Sequence, residues 1–300
     1  MAKSEKDDKK PAKATNKSKV LDFLKEMGII LGTFLVLNSF VLASFEVPTG
    51  SMENEIMTGD FLLVNKFVFG GTTPKTIPFT NKKLPSFKLP APWKVERNDV
   101  IVFIHPGYRE EVEAAEFAYY LKRCIAVAGD TLQIVNRVVF VNGKMVPAPK
   151  NIKLDDPVDI KPAGEADWKI FPKGAPFNED NYGPIVIPKK GDVIKLTADN
   201  YERWDTFIKR EGHSFEFLNG KAHIDGVEQN SYTVQRDYVF GMGDHRDNSL
   251  DSRFWGFIPV ESVIGTPVIV YWSWNPELSI LDFGNKLSSV RWNRLGTLVR

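Results

Sequence analysis

LQIVNRVVFVNGKMV, residues 132–146, packs apolar and β-branched side chains into a run that breaks at Asn142-Gly143. Asn-Gly between apolar runs is the strongest short-range hairpin signal. The stretch therefore reads as a strand over residues 132–141, a turn, and a return through Val146. Leu218-Asn219-Gly220-Lys221 and Ile224-Asp225-Gly226-Val227 repeat the theme. Residues 99–104, DVIVFI, read as another short strand, and residues 265–274, GTPVIVYWSW, as a buried one. Long helical periodicity is hard to find after residue 50. Many short strands with glycine turns predict a mostly β body, sandwich-like or barrel-like.

Toward the N-terminus the character changes. Residues 1–26 are rich in lysine and read as a disordered, cytoplasmic tail. Residues 27–45, MGIILGTFLVLNSFVLASF, carry no charge. As a helix this run nearly matches the ~30 Å of a hydrocarbon core. It is apolar all round, which argues against a helix with one buried face. The expectation is one transmembrane helix, with the lipid bilayer as a partner. Excess lysine on its N-terminal side puts the N-terminus in the cytoplasm and everything after residue 45 outside. Beyond it, the β body is expected to occupy residues 46–146 and 237–282. Pro147 to Pro184 is rich in Pro, Asp and Gly and reads as a linker or the start of an inserted lobe. A C-terminal tail is expected over 283–300.

Composition excludes some classes. With 39 Lys and Arg against 38 Asp and Glu, no basic excess points to nucleic acid. The single cysteine, Cys124, rules out an intrachain disulfide and reads as a small buried filler. His105, His213 and His223 show no metal-ligand spacing and read as ordinary surface or loop residues. No Walker or dinucleotide glycine pattern appears, so no metal or organic cofactor is expected.

Chemistry concentrates in a few stretches. Pro48-Thr49-Gly50-Ser51-Met52 sits just past the apolar run. Residues 119–130, YYLKRCIAVAGD, place Lys122 in an apolar, strand-like setting. Residues 241–259, GMGDHRDNSLDSRFWGFIP, form a dense polar loop. A serine hydroxyl needs an adjacent base. A lysine can serve only when neutral, which burial among apolar groups favours. Whether Ser51 and Lys122 meet is not fixed by spacing.

Together these stretches, with residues 97–104, closely resemble the conserved boxes of bacterial type I signal peptidases. The resemblance implies a membrane-bound serine endopeptidase of the bacterial inner membrane. Its partners would be exported preproteins with small-x-small cleavage sites. It implies Ser51 as nucleophile and Lys122 as general base. Ser249 would orient the lysine, and Thr49 would join the Ser51 N–H in the oxyanion hole. Asp244, Arg246, Asp251 and Arg253 would brace the site. The resemblance also implies an inserted variable β lobe over 147–236. Val47, Met52, Ile56, Tyr120 and Leu121 flank the pair in sequence and are candidate pocket walls. The chain departs from the common pattern at Asn54-Glu55-Ile56, where relatives often carry Pro-Thr-Leu. It departs also at Asn98, where they have Gly, and at His245, where they have Asn.

Two rival readings differ in class. A Ser-His-Asp hydrolase could use His245, although no G-x-S-x-G elbow surrounds Ser51. An inactive, membrane-tethered homologue could act as a binding scaffold, against which stand Ser51, Lys122, Ser249 and Thr49 all being present. A self-cleaving Ser-Lys repressor is set aside by the apolar run and by the lack of a helix-turn-helix pattern.

Overall fold

The computed structural model describes residues 16–73, 82, 84–85 and 87–299. The first fifteen residues of the expected tail, and most of residues 74–86, lie outside the described residues. Helix α1 (Asn16–Phe40) begins within the expected tail and stops before the end of the uncharged run. Its first half carries Lys17, Lys19, Asp22, Lys25 and Glu26, all polar, of which the lysines and Glu26 are good helix formers. Its second half exposes Ile29, Ile30, Leu31, Phe34, Leu35, Val36 and Leu37 on every face. The uncharged helical part, residues 27–40, is only about 21 Å long. Among the described residues no helix is long and apolar enough to cross a membrane.

The last residues of the uncharged run are extended rather than helical. They form β1 (Leu42–Glu46), paired antiparallel to β2 (Asp60–Asn65). The competing attraction is the sheet edge: β1 gains five pairings there, from Leu42↔Asn65 to Glu46↔Phe61. β3 (Val100–Ile104) and β4 (Tyr119–Val127) pair antiparallel, with Ile101 opposite Lys122.

The chain then leaves this sheet. β5 (Thr131–Val135), β6 (Val138–Val141), β7 (Lys144–Met145) and β8 (Tyr182–Val186) make a separate four-stranded sheet in the order β7-β6-β5-β8. The hairpin of residues 132–146, expected within the β body, therefore pairs through β5 with β8, a strand of the stretch expected to be an inserted lobe. β9 (Val193–Lys195), helix α2 (Tyr201–Arg210), β10 (Phe215–Leu218), β11 (Lys221–Ile224), β12 (Val227–Glu228) and β13 (Ser231–Thr233) follow. The turns of β6–β7, β10–β11 and β11–β12 fall at Asn142-Gly143, Asn219-Gly220 and Asp225-Gly226, both residues at positive φ in each. These are the turns the sequence called for.

β14 (Tyr238–Met242) returns to the first sheet beside β4, followed by α3 (Ser252–Trp255), β15 (Ile258–Pro259) and β16 (Val263–Ser273). The order is β1-β2-β16-β3-β4-β14-β15. β16, expected to be buried, is buried only in part: Val268 and Tyr271 are exposed. The C-terminal residues rejoin the body through α4 (Phe283–Ser288) and β17 (Thr297–Leu298), which pairs with β16. Arg294 grips the buried Asp60 carboxylate at 2.5 Å.

Three strands separate β1 from β4, yet the rings of Phe45 and Tyr119 meet edge to face with centroids 5.0 Å apart. The sheet is therefore strongly curled, and its two flanks face each other across a cleft. One apolar cluster, including Val47, Met52, Ile56, Leu62, Val64, Val100, Val102 and Val270, lies beneath it. Burying each of these side chains contributes on the order of 1.5–3 kcal/mol, so the floor of the cleft is part of the packed core.

Candidate active site

The segment after β1 is a tight loop closed on itself. Val47 N–H donates to Asp60 O, Gly59 N–H to Val47 O, Glu53 N–H to Gly50 O and Ile56 N–H to Met52 O. Met52 and Ile56 plug it into the core beneath. Asn54 sits at φ 77°, a conformation open to asparagine but closed to proline, whose ring fixes φ near −65°. Asn98 likewise takes φ 74°, where glycine is most at ease.

Ser51 crowns this loop, and Lys122 reaches it from β4. Lys122 Nζ donates a hydrogen bond of 2.6 Å to Ser51 Oγ. Both side chains are buried; Lys122 is 3 % exposed. Burial lowers the Lys122 pKa from its ordinary 10.5 to about 8. The carboxylates of Asp251 and Asp244 oppose that fall, and Arg253 assists it. A lysine so placed is neutral in an appreciable fraction near neutral pH and can take the proton of the hydroxyl it touches.

Behind the pair lies a cluster of buried ions. Asp244 is fully buried and held by Arg123, with contacts of 2.9 Å from Nε and 2.6 Å from Nη2. Arg123 also donates to the carbonyl of Asn98 at 2.9 Å. Asp251 caps α3 and accepts from Arg253 Nε at 2.9 Å and Nη2 at 2.8 Å, and from Gly243 N–H at 3.1 Å. Burial alone would raise the Asp251 carboxyl, but the adjacent Arg253 guanidinium holds it below its ordinary value. Arg246 donates to Gly243 O at 3.2 Å, and burial brings its pKa down to about 10. Arg123 was not singled out from sequence; the Lys-Arg pair in a strand-like run was the signal, since such neighbours point to opposite faces.

Other expected residues fall less simply. Ser249 is buried, but among the described residues its hydroxyl has no hydrogen-bond partner, and no bond to Lys122 forms. Gly243 stands between: a Cβ there would lie 2.2 Å from Ser249 Oγ and 2.5 Å from Ser51 O. Thr49 is exposed at the rim. Of the proposed walls, Val47, Met52, Tyr120 and Leu121 line a cleft of about 530 Å³ together with Thr49, Ser51 and Lys122. Ile56 does not; it is buried in the cluster below. Sequence reading missed Phe45, Ala118, Tyr119 and Leu250 as further walls. The surface reading of His105 also fails: it is buried, stacked on Tyr120 with centroids 4.3 Å apart, and burial lowers its pKa to about 4. Cys124 is fully buried, and burial pushes its thiol far up, as suits an inert filler.

His245 is close to Ser51 but not to its hydroxyl. Its ring nitrogens face Gly50 O at 3.3 Å and Asp155 Oδ1 at 2.8 Å. The hydroxyl is met by lysine instead, and the ring is already committed.

Fold and site together describe a serine peptidase with a cleft between strands. The family model for signal peptidase, peptidase S26, matches residues 20–272, and the chain belongs to that family of serine endopeptidases that remove signal peptides. Signal peptidase I of Buchnera aphidicola (subsp. Schizaphis graminum) is 28% identical over 282 residues, which cover 88% of this chain and 81% of that one. Signal peptidase I of Haemophilus influenzae is also 28% identical over 282 residues, covering 87% and 72%. That of Aquifex aeolicus is 26% identical over 279 residues, covering 89% and 90%.

Proposed function

We propose that this endopeptidase cleaves exported preproteins at small-x-small sites with Ser51 as nucleophile and neutral Lys122 as general base. The observation that carries the reading is the 2.6 Å contact between two buried groups, one of them a lysine whose pKa falls to about 8. Lys122 takes the Oγ proton as Ser51 attacks the scissile carbonyl. The oxyanion is met by the Ser51 N–H and the Thr49 hydroxyl. Lys122 returns its proton to the leaving amine, then activates the water that frees the acyl group.

The substrate enters as an extended strand. β14 pairs with β4 only from Arg123 onward, so Tyr119 to Lys122 keep one edge open to the cleft, and β1 is the facing edge of the curled sheet. A peptide laid between two edges can bond to both. The exposed apolar half of α1 supports anchorage in the inner membrane. The N-terminus would then be cytoplasmic and the cleft outside.

Purified protein incubated with a preprotein carrying an A-x-A site is expected to release a mature chain beginning directly after that site, as read by N-terminal sequencing. Ser51→Ala is expected to release none while keeping its fold. Processing at the wild-type rate by a folded Ser51→Ala protein would sink the assignment.

A further inference from the structure

His245 meets the nucleophile's backbone twice and the inserted segment once. Its N–H donates to Ser51 O at 3.1 Å. Its ring Nδ1 faces Gly50 O, and its Nε2 faces the Asp155 carboxylate. The ring is buried, its side chain 4 % exposed. The other charged groups facing it are Glu53, 3.6 Å from Nδ1, and Lys153, which bonds Glu53 at 2.7 Å and lies 4.0 Å from Asp155. Both ring nitrogens thus point at acceptors, and the ring donates its N–H between them.

The Asp155 contact belongs to a strap from the inserted segment. Asn151, Lys153 and Asp155 are alternate residues, which in extended chain share a face. They reach Glu55 at 2.5 Å, Glu53 and His245 in turn. The strap's backbone is tied to the same loop: Lys153 N–H donates to Asp244 O, and Arg246 N–H to Lys153 O. Asp155 N–H donates to Asp247 at 2.7 Å, a carboxylate that Arg137 approaches at 3.4 Å.

Gly50 O and the Ser51 N–H belong to one planar peptide unit and point in opposite directions. Fixing the carbonyl on one side fixes the aim of the N–H on the other. A hydrogen-bond donor on that carbonyl also polarises the unit and strengthens its N–H as a donor. We propose that His245, held by Asp155 of the inserted segment, is the positioning residue that aims the Gly50–Ser51 peptide unit at the oxyanion. The proposal rests on Ser51 being the nucleophile.

Steady-state cleavage of a peptide with an A-x-A site separates the possibilities. His245→Leu deletes the ring donors and is expected to lower kcat by about 10²-fold, the scale of a misplaced reacting group, with KM unchanged. His245→Asn supplies a shorter N–H donor and should recover most of that loss. Asp155→Ala lies on the exposed strap and leaves the core intact. It should lower kcat in the same sense by a smaller factor, and it decides the matter if His245→Leu fails to fold by near-UV circular dichroism. Wild-type kcat in Asp155→Ala or in folded His245→Leu overturns the proposal, as does a change confined to KM. If Ser51→Ala is inactive in those same experiments, the nucleophile stands and only the positioning role falls. An active Ser51→Ala removes both.

Discussion

Lys122 can act as a base only after losing its proton, and its surroundings decide when. Burial brings its pKa to about 8 from 10.5. Below that value kcat/KM should fall tenfold per pH unit, and above it reach a plateau, as measured across pH 6 to 9.5. A flat profile through pH 8 would remove Lys122 from the role of base. Lys122→Arg should be inactive because guanidinium keeps its proton. The same burial has a price in stability, with a definite sign. The folded pKa lies below the unfolded one, so between about pH 8 and 10.5 the unfolded chain binds more protons and stability rises with pH. Below pH 8 the penalty is complete, on the order of 3 kcal/mol. Lys122→Met removes it. This variant should be inactive yet more resistant to urea than the wild type at pH 7, and the gap should close toward pH 10.5. A Lys122→Met protein less stable at pH 7 would contradict the burial argument.

Strand β14 and the loop after it show what one backbone position can demand. A methyl group on Gly243 would meet Ser249 Cβ at 2.6 Å and Ser51 O at 2.5 Å, distances that real Cβ atoms do not adopt. Turning the Ser249 hydroxyl aside does not relieve contacts to its Cβ and to a carbonyl. Gly243→Ala should therefore push the Ser51 loop away from Lys122. Processing should fall by about 10²-fold, with a stability loss of about 1–3 kcal/mol from overpacking. Steady-state rates and urea midpoints check both, and unimpaired processing would show that the loop tolerates the shift. Gly243 was quoted in the sequence motif but given no role there, because a steric role needs two partners far apart in the chain. The same limit hid the strap, whose Asp155 meets His245 across 90 residues. What was legible was local. The Asn-Gly and Asp-Gly turns appear where their φ preferences put them. What misled was local preference overruled by tertiary contact. Residues 132–141 read as one strand, but the chain turns at Asn136-Arg137, both at positive φ. Arg137 has no intrinsic liking for that region. Asp180 at 2.7 Å and the carbonyls of Asp156 and Asp159 at 2.6 and 2.7 Å hold it there. The uncharged run likewise ended its helix at Phe40 because the β2 edge offered the next residues a partner.

At the scale of the whole molecule, the proposed anchor and the cleft are joined without slack. The C-terminal end of α1 is held to the body: Lys66 Nζ donates to Asn38 O at 3.2 Å, a cation at the negative end of the helix, and Lys66 N–H donates to Val41 O at 2.8 Å. Gly71 packs so closely there that a Cβ would lie 2.4 Å from Phe40 Cα. Beside this junction Phe67 and Trp93 are exposed and meet edge to face, with centroids 6.4 Å apart. Exposed aromatic residues next to an apolar helix suit the headgroup level of a bilayer. On this reading α1 sets the height and facing of the cleft as well as tethering it, so anchored substrates arrive already oriented. The gain is one of effective concentration, with no new contact to the scissile bond. Removing residues 1–40 should therefore release the protein from membranes into the supernatant after alkaline extraction, while the full chain stays in the pellet. The truncated protein should cleave a soluble A-x-A peptide at close to the full-length kcat/KM. Its advantage on a preprotein embedded in vesicles should vanish, falling toward the soluble-peptide rate. Equal loss on both substrates would mean that α1 supports the fold of the cleft rather than its placement. Retention of the truncated protein in the pellet would mean that the aromatic rim or another part of the body holds the membrane without it.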